Sequence, residues 1–441
     1  METVQIERMG YGPWAVAHLS NGKTVFVDRA APGDEAQIEV FDEKPRFAFA
    51  HICCLNKASD LRSSLSDDDA TALFAEGGMW GHLSYPFQLK AKRDNVITAL
   101  VRLGKMTEKR AENLVEECIP SKHEFSYRNK VEFAANHGSN GKFDLGFTLP
   151  QSHTIIFPKR CMLAHPEVAQ AAKSLRGAIR YLEGTSKLDI FRVGLRHSTR
   201  CKSLELALWT KPGAFPHKAA ATTLSAALPA TSIVRVISAP GKARKVKKLE
   251  TIFGKGYWEE ELLGMHYKVS APSFFQVNTE QAEELIRLVS SYIDVSHLSS
   301  AHIADLYAGG GTFTLPLAQL GAQVSAIESA SSSVQDLRRN AANANADIDV
   351  IGGDAARELT RLGNLDALVV DPPRAGLAPN LPRDISQAGP ERVVYVSCDP
   401  TSLARDLNRF ETCGYKIEKV QPVDLFPQTY HVETVVLISR A

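Results

Sequence analysis

Cys398 and Glu433 are the residues of this chain whose types and settings suit covalent chemistry. Cys398 lies in "YVSCDPTSLARDL" (Tyr395–Leu407), between a β-branched run and the start of a helix. Val393, Val394 and Val396 read as strand, Asp399 as an N-cap and Pro400 as a first helical residue. The thiol is therefore expected where a strand hands over to a helix. A free cysteine is more often inert packing than a reactive group. The positive end of a helix favours thiolate, but the carboxylate of Asp399 next door opposes it. A metal role is disfavoured, since no second Cys or His stands at ligand spacing around it. Glu433 lies in "FPQTYHVETVVLIS", at the start of the last apolar run and two residues after His431. A glutamate at a strand edge ordinarily faces solvent, so its interest depends on what it meets.

A further set of residues has the pattern of a cofactor site. "DLYAGGGTFTLPLA" (Asp305–Ala318) reads as strand, glycine turn and helix. Gly309, Gly310 and Gly311 let the backbone turn sharply and let a ligand approach it. Thr314 stands where a dinucleotide fingerprint places its third glycine, so a pyrophosphate site is a poor match. Glu328 ends the next strand, where an acid accepts hydrogen bonds from ribose hydroxyls. A ribose-binding acid with an incomplete phosphate loop points to a nucleoside cofactor without phosphates, S-adenosylmethionine first. "VVDPPRAGL" (Val369–Leu377) closes another strand with a carboxylate and two prolines, which stiffen the loop and remove two donors. Arg374 occupies the place where an amino-methyltransferase loop carries an aromatic, which argues against adenine chemistry. A thiolate beside a methyl donor has a specific use. Adding to carbon 6 of a pyrimidine, it makes carbon 5 enolate-like and able to attack the methyl. A base must then remove the carbon 5 proton.

Positioning such groups takes a large scaffold. At 441 residues two or three domains are expected, and 44% apolar with 23% charged residues is a soluble globular composition. No run approaches the roughly 18 apolar residues of a membrane span. "METVQIERMGYGPWAV" lacks signal-peptide order, and seven scattered cysteines do not read as a disulfide framework. The expectation is a cytoplasmic monomer without membrane contact. A net charge of +1 excludes a global basic field. Locally, "GKARKVKKLETIFGKGYW" (Gly241–Trp258) gathers Lys242, Arg244, Lys245, Lys247, Lys248 and Lys255 beside aromatics, a pattern suited to phosphate contacts.

Short strands separated by "SNGK" and "APGD" turns fill residues 1–55, at the spacing of a small five-stranded barrel. A polar stretch, "KASDLRSSLSDDDATALFAEGG", has weak periodicity, and Tyr85 to about Leu114 has helical spacing. Residues 120–266 mix short strands with the helix "EVAQAAKSLRGAIRYLE". After about 267 the helix "AEELIRLVSSYI" leads into "HIADLYA", "QVSAIES", "DALVVDPP" and "RVVYVSCDP", apolar strands alternating with helices. That order predicts a mostly parallel sheet covered on both faces, with "YKIEKVQPVDLF" and "VETVVLIS" as closing strands.

"YRNKVEFA" (Tyr127–Ala134), "SFFQVNTEQAEEL" (Ser273–Leu285), "DLYAGGGTFTLPLA", "DPPRAGL", "SCDPTSLARDL" and "FPQTYHVETV" stand in an order that covers nearly the whole chain. In them the sequence resembles the bacterial RNA 5-methyluridine methyltransferases, in the branch that carries an N-terminal TRAM domain and methylates 23S ribosomal RNA. The resemblance implies an α/β protein with a Rossmann-like class I S-adenosylmethionine-dependent methyltransferase domain, an OB-like TRAM β-barrel and a small α+β central domain. The barrel is expected at 1–55 and the central RNA-binding domain at 56–90 and 120–266. The methyltransferase domain is expected at 91–119 and 267–441, so that the "QLKAK" helix packs with the catalytic part. The resemblance implies Cys398 as nucleophile and Glu433 as base. It also implies a cofactor site of Gln276, Tyr307, Thr312, Glu328, Asp354 and Asp371 around the turn at Gly309. Thr312 departs from the asparagine associated with its position.

Many relatives hold an iron–sulfur cluster on C-x5-C-x2-C and a later cysteine. Here Ala70, Glu76 and Met79 take the first positions and only Cys161 remains, while Cys53 and Cys54 lie too far upstream. One thiolate cannot hold a cluster, so no cluster and no metal is expected. The expected partner is RNA, ribosomal first and transfer RNA as the alternative. Cytosine is disfavoured because RNA cytosine-5 enzymes carry a further cysteine in the proline loop. An RNA-binding or assembly factor with an inactive methyltransferase fold is disfavoured by the intact nucleophile, base and cofactor motifs. A nicotinamide oxidoreductase is disfavoured by the phosphate loop.

Overall fold

Two kinds of apolar run sort the strands into different sheets. Where burial alternates, as in "TVFVD", one face of the strand meets a core and the other meets solvent. Where it is continuous, as in "ALVV" and "RVVYVS", both faces are covered, as a parallel sheet between helix layers requires. The computed structural model describes residues 1–137, 143–149, 154–156, 161–184, 188–241, 245–294 and 301–441, and its strands and helices are those of the described residues.

The first unit is a barrel of β1 (Glu2–Gln5), β2 (Arg8–Met9), β3 (Trp14–His18), β4 (Thr24–Asp28), β5 (Glu35–Glu43) and β6 (Phe47–Lys57), in the order β1-β5-β6-β4-β3-β2. The sequence predicts one strand over "TVQIERM", and the structure divides it into β1 and β2. At the division Ile6 N–H donates to Asp34 O on one side and Glu7 N–H to Val16 O on the other. One run thus pairs with both edges of the sheet and closes it. Next come α1 (Asp67–Ala75), in the stretch where periodicity is weak, then α2 (Tyr85–Arg102) and α3 (Glu108–Leu114). The helical spacing of Tyr85 to Leu114 breaks at Gly104 and at Lys105, which has a φ of 58°.

The central unit is a sheet ordered β13-β12-β11-β10-β7-β8-β9, made of β7 (Lys130–His137), β8 (Phe143–Thr148), β9 (Ile155–Ile156), β10 (Ile190–Ser198), β11 (Ser203–Thr210), β12 (Ser232–Ile237) and β13 (Lys248–Gly254). Helices α4 (Pro166–Glu183) and α5 (His217–Ala227) bury Val168, Leu175, Ile179 and Leu224 in its core. A hairpin of β14 (Trp258–Leu262) and β15 (Met265–Val269) leads into the catalytic unit.

There, strands β16 (His302–Leu306), β17 (Gln323–Glu328), β18 (Ile348–Gly352), β19 (Ala367–Val370), β20 (Arg392–Ser397), β21 (Tyr415–Val423) and β22 (Glu433–Arg440) are ordered β18-β17-β16-β19-β20-β22-β21. The pairs from β18 to β20 are parallel, whereas β22 runs antiparallel between β20 and β21. The helices are α6 (Thr279–Ile293), α7 (Thr314–Gln319), α8 (Ser331–Ala344), α9 (Ala355–Leu359), α10 (Leu381–Ala388) and α11 (Pro400–Thr412). One core lies on each face of this sheet, the first with Leu285, Ile286 and Val289 of α6 and the second with Leu403, Leu407 and Phe410 of α11. None of the described helices is long and apolar enough to cross a membrane.

Helix α2 ties the units together. It packs against α11, and its polar side chains fasten the loop that precedes β22. Lys92 Nζ, fully buried, pairs with the equally buried Asp424 and donates to Phe426 O at 3.0 Å. Gln88 Nε2 donates to Gln428 Oε1 at 2.9 Å, and Gln428 N–H returns a bond to Gln88 Oε1 at 2.9 Å. Asn278 Nδ2 reaches Leu425 O, and the Tyr127 hydroxyl reaches Pro427 O. The backbone from 424 to 428 is thereby held by side chains of distant elements, which frees it from forming a helix or a strand.

Removing one partner of a buried ion pair leaves the other charge desolvated and unmatched. Lys92→Met is therefore expected to cost about 3–5 kcal/mol, and Lys92→Met with Asp424→Leu to recover much of that loss. Urea midpoints followed by tryptophan fluorescence measure both. Equal midpoints for wild type and Lys92→Met would show that the pair does not anchor the loop.

Candidate active site

The parallel strands all end on one edge of the sheet, and the site residues cluster there, where open α/β sheets bind ligands. Tyr307, Gly309 and Thr312 follow β16, Glu328 ends β17, Asp354 follows β18, Asp371 follows β19 and Cys398 follows β20. Gln276 arrives from the segment before α6. Glu433 comes to the same edge from the opposite direction, because β22 is antiparallel and starts there.

Register decides what faces Cys398. The last pairs of β20 and β22 are Val396 with Val435 and Ser397 with Thr434. Cys398 and Glu433 are the next residues beyond that last pair, and the charge of Glu433 acts on the thiol. Asp399 caps α11 as expected, its Oδ1 accepting Thr401 N–H and Ser402 N–H at 2.9 Å each, with Pro400 in the first turn. The ordinary exposure of a strand-end glutamate does not occur, for Glu433 is only 5% exposed.

Burial sets the electrostatics. It pushes the Cys398 thiol up to about 12, helped by the charges of Glu433 and Asp371 and opposed by Arg374. Burial also holds the Glu433 carboxyl well above the usual carboxylate range, with Asp371 adding to this and Arg374 opposing it. Both anions are thus disfavoured, and Arg374 is the cation that favours ionising both. His431 is pushed down to about 3 by burial and by Arg374, so its ring is neutral and its Nε2 accepts from Arg374 Nη2 at 3.4 Å. The Arg374 loop is itself held by α11. Asp406 Oδ2 accepts from Leu377 N–H at 2.7 Å, Arg405 Nη2 donates to Ala375 O, and a Cβ on Gly376 (φ 75°) would lie 2.4 Å from Asp406.

The cofactor loop is strained where it turns. Tyr307 has a φ of 65°, rare for an aromatic residue, and Gly309 and Gly311 have φ of 56° and 96°. A Cβ on Gly311 would lie 2.5 Å from Leu315, whereas one on Gly309 would meet nothing within 4 Å. Glu328 Oε2 accepts Gly309 N–H and Oε1 accepts Ser329 and Ala330 N–H, so this carboxylate shapes the turn and keeps lone pairs for hydroxyls. Asp354 Oδ1 caps α9. Gln276 Oε1 and Asp305 Oδ1 are buried without a hydrogen-bond partner, orphan acceptors suited to a polar, cationic ligand. Burial pushes Asp305 and Asp371 up to about 7 each, so a ligand's positive charge would complete them.

Sequence reading left Asp305 and Arg374 without a role. Asp305 sits in the quoted "DLYAGGG", but its orphan oxygen depends on Thr314 taking the other one, a tertiary detail. Arg374 shows its effect on Cys398 and Glu433 only once the loops meet.

At the former cluster positions, Glu76 turns inward. Its carboxylate accepts Met162 N–H at 2.8 Å and Leu163 N–H at 3.0 Å, and it lies against the Cys161 thiol, pushed up to about 12 by burial and by Glu76. One thiol, with a carboxylate engaged by two amides beside it, does not supply the thiolate set of an iron–sulfur cluster.

Residues 85–441 match the family described as tRNA (uracil-5-)-methyltransferase, and residues 2–53 match the TRAM domain. An uncharacterized RNA methyltransferase of Thermotoga maritima is 31% identical over 100% of this chain and 99% of its own length. One from Gloeobacter violaceus is 33% identical over 100% and 96%. In fold, the chain is similar to the crystal structure of Pyrococcus abyssi tRNA (uracil-54, C5)-methyltransferase with S-adenosyl-L-homocysteine, at a TM-score of 0.76, 24% identity and 99% of both chains.

With its pKa raised to about 12, Cys398 is thiolate in only about one molecule in ten thousand at pH 8. Its alkylation by iodoacetamide in the free protein is expected to keep rising with pH through pH 10.5, while glutathione levels off above about pH 8.5. Peptide mass spectrometry across pH 7–10.5 measures it. A plateau for Cys398 near pH 8 would contradict the buried, acid-flanked setting.

Proposed function

The chain belongs to the tRNA (uracil-5-)-methyltransferase family with a TRAM domain ahead of the family's core, and from that premise we propose that Cys398 and Glu433 methylate a uridine of 23S ribosomal RNA by covalent catalysis. It is an S-adenosylmethionine-dependent RNA (uracil-C5)-methyltransferase. The observation that carries the mechanism is that Cys398 and Glu433 follow the last pair of β20 and β22 and act on one another's charge, with Arg374 beside both.

Bound S-adenosylmethionine supplies an electrophilic methyl group. Glu328, Asp354 and the open backbone at Gly309 would hold its nucleoside, while Gln276, Asp305 and Asp371 would meet its charged end. Tyr307 and Thr312 line the turn between them. The Cys398 thiol gives up its proton to solvent, and the sulfur bonds to carbon 6 of uracil as the carbon 5–carbon 6 π electrons move onto carbon 5. Carbon 5, now electron-rich, takes the methyl, whose bond to the donor's sulfur breaks and leaves its electron pair on that sulfur. Glu433, as carboxylate, removes the carbon 5 proton. The freed electron pair restores the carbon 5–carbon 6 double bond as the bond to sulfur breaks. Arg374 favours both anionic states along this path. A uridine in folded RNA must leave its stack to reach this edge.

The barrel supports RNA contact through aromatic stacking. Trp14, Phe26, Phe41, Phe47 and Phe49 form a connected set of rings with centroids 5.1–6.3 Å apart, and Phe41 is 48% exposed and stacked on His51. Such faces suit unpaired bases. The basic stretch supports it less than its composition suggests. Lys248 and Lys255 are paired with Glu250 and Glu259, Lys245 and Lys247 are exposed, and Lys242 and Arg244 lie outside the described residues.

Ribosomal RNA is favoured by the TRAM-bearing resemblance. A transfer RNA reading is favoured by the Pyrococcus abyssi protein, which acts on tRNA uracil-54 and matches the fold along 99% of this chain, barrel included. Mapping 5-methyluridine in a deletion strain decides between them. Loss of one 23S site supports the first reading, loss in tRNA the second, and no loss in either overturns both.

Trapping tests the mechanism. RNA carrying 5-fluorouridine, with methyl donor, is expected to form a covalent adduct with wild type and none with Cys398→Ala, which should still bind the donor. Glu433→Gln is expected to form the adduct on ordinary RNA and release it about 10²–10⁴-fold more slowly. Release at the wild-type rate would remove Glu433 from the mechanism.

A further inference from the structure

Tyr11 carries the barrel to the catalytic edge. Between β2 and β3 the turn is closed by Gly10 N–H donating to Trp14 O at 3.0 Å. Its backbone is fastened from outside, Trp80 Nε1 donating to Gly12 O at 3.0 Å and Asn95 Nδ2 of α2 to Gly10 O at 3.4 Å. Gly12 has a φ of 140°, which favours glycine. Tyr11 is the residue between these anchors, and it leaves the barrel. Its hydroxyl donates to Asp399 Oδ2 at 3.2 Å, and its ring meets Tyr430 edge-on at 5.7 Å and 89°. Tyr430 in turn packs on His431 at 4.2 Å. Tyr11 therefore touches both arms of the site, the carboxylate next to Cys398 and the loop three residues before Glu433.

We propose that Tyr11 is a positioning residue of the active site, through which the docked barrel holds Asp399, and with it Cys398, in attacking geometry. Asp399 has two tasks with one carboxylate. Oδ1 caps α11, and Oδ2 is left as an anion beside a sulfur that must itself become anionic. A phenol bonded to Oδ2 disperses that charge and stops the carboxylate from rotating out of its cap. Burial and Asp399 both raise the Tyr11 pKa far above the ordinary phenol value, so it remains a donor at every working pH. On this view the barrel completes the catalytic edge besides holding RNA.

The inference rests on Cys398 as nucleophile, and the test separates the two. In full-length Tyr11→Phe, adduct formation with saturating 5-fluorouridine RNA is expected to slow about tenfold, as for loss of a bond to a charged group, with RNA affinity within twofold of wild type. Asp399→Asn keeps an oxygen for the cap and removes the charge, so Tyr11→Phe is expected to add less than twofold in that background. Without RNA, Tyr11→Phe is expected to slow Cys398 alkylation at pH 9–10 by about threefold, because the undispersed charge disfavours thiolate. Weaker RNA binding with an unchanged saturated rate would make Tyr11 an RNA contact and overturn the proposal. So would an undiminished effect in the Asp399→Asn background, or unchanged or faster alkylation. If wild type forms no adduct, covalent catalysis fails, and the alkylation rates alone decide whether Tyr11 positions Cys398.

Discussion

The site depends on one strand running against the others. β22 enters antiparallel between β20 and β21, so its first residue lands at the edge where the parallel strands finish. The register then leaves no freedom: Ser397 pairs with Thr434, and Cys398 and Glu433 come next. A parallel β22 would start at the far edge and carry Glu433 away from the sulfur. A slip of one residue would turn its side chain to the other face of the sheet.

Such a register has to be defended, because desolvating a thiol and a carboxyl beside further acids is costly. The defence comes from outside the sheet. The loop before β22 has little repetitive backbone pairing, yet Lys92, Gln88, Asn278 and Tyr127 donate to its carbonyl or side-chain acceptors, and its Gln428 N–H donates back to Gln88. These donors come from α2, from the segment before β7 and from the cap of α6. The "QLKAK" helix is thus explained by its polar residues as much as by its apolar ones. Its apolar face packs on the catalytic unit, while Gln88 and Lys92 hold the loop that leads to Glu433.

The three units share a construction in which one unit's side chain finishes another's site. Tyr11 of the barrel meets Asp399 of the catalytic unit, Asn129 at the start of the central sheet donates to Gln276 O, and Glu76 ties the segment after α1 to Met162 and Leu163. At the last of these, a carboxylate accepting amide hydrogens does the cross-linking.

The sequence by itself determined the strand and helix order of the catalytic unit, the cap at Asp399 with Pro400 behind it, the glycine turn and the acid that ends the next strand. These are local: propensity, capping and burial periodicity act within a few residues, and they are written in contiguous motifs. The closure of the barrel by a single divided run, the break of the helix at Gly104 and the short helix in the acidic stretch were less legible, since partners far along the chain decide them. Only the tertiary structure decided that Glu433 is buried, that Arg374 is the cation shared by sulfur and carboxyl, that part of the basic stretch is spent on neighbouring glutamates, and that Tyr11 reaches Asp399. Each of these depends on which residues far apart along the chain are brought within a few ångströms, where desolvation and charge act and sequence spacing no longer measures distance.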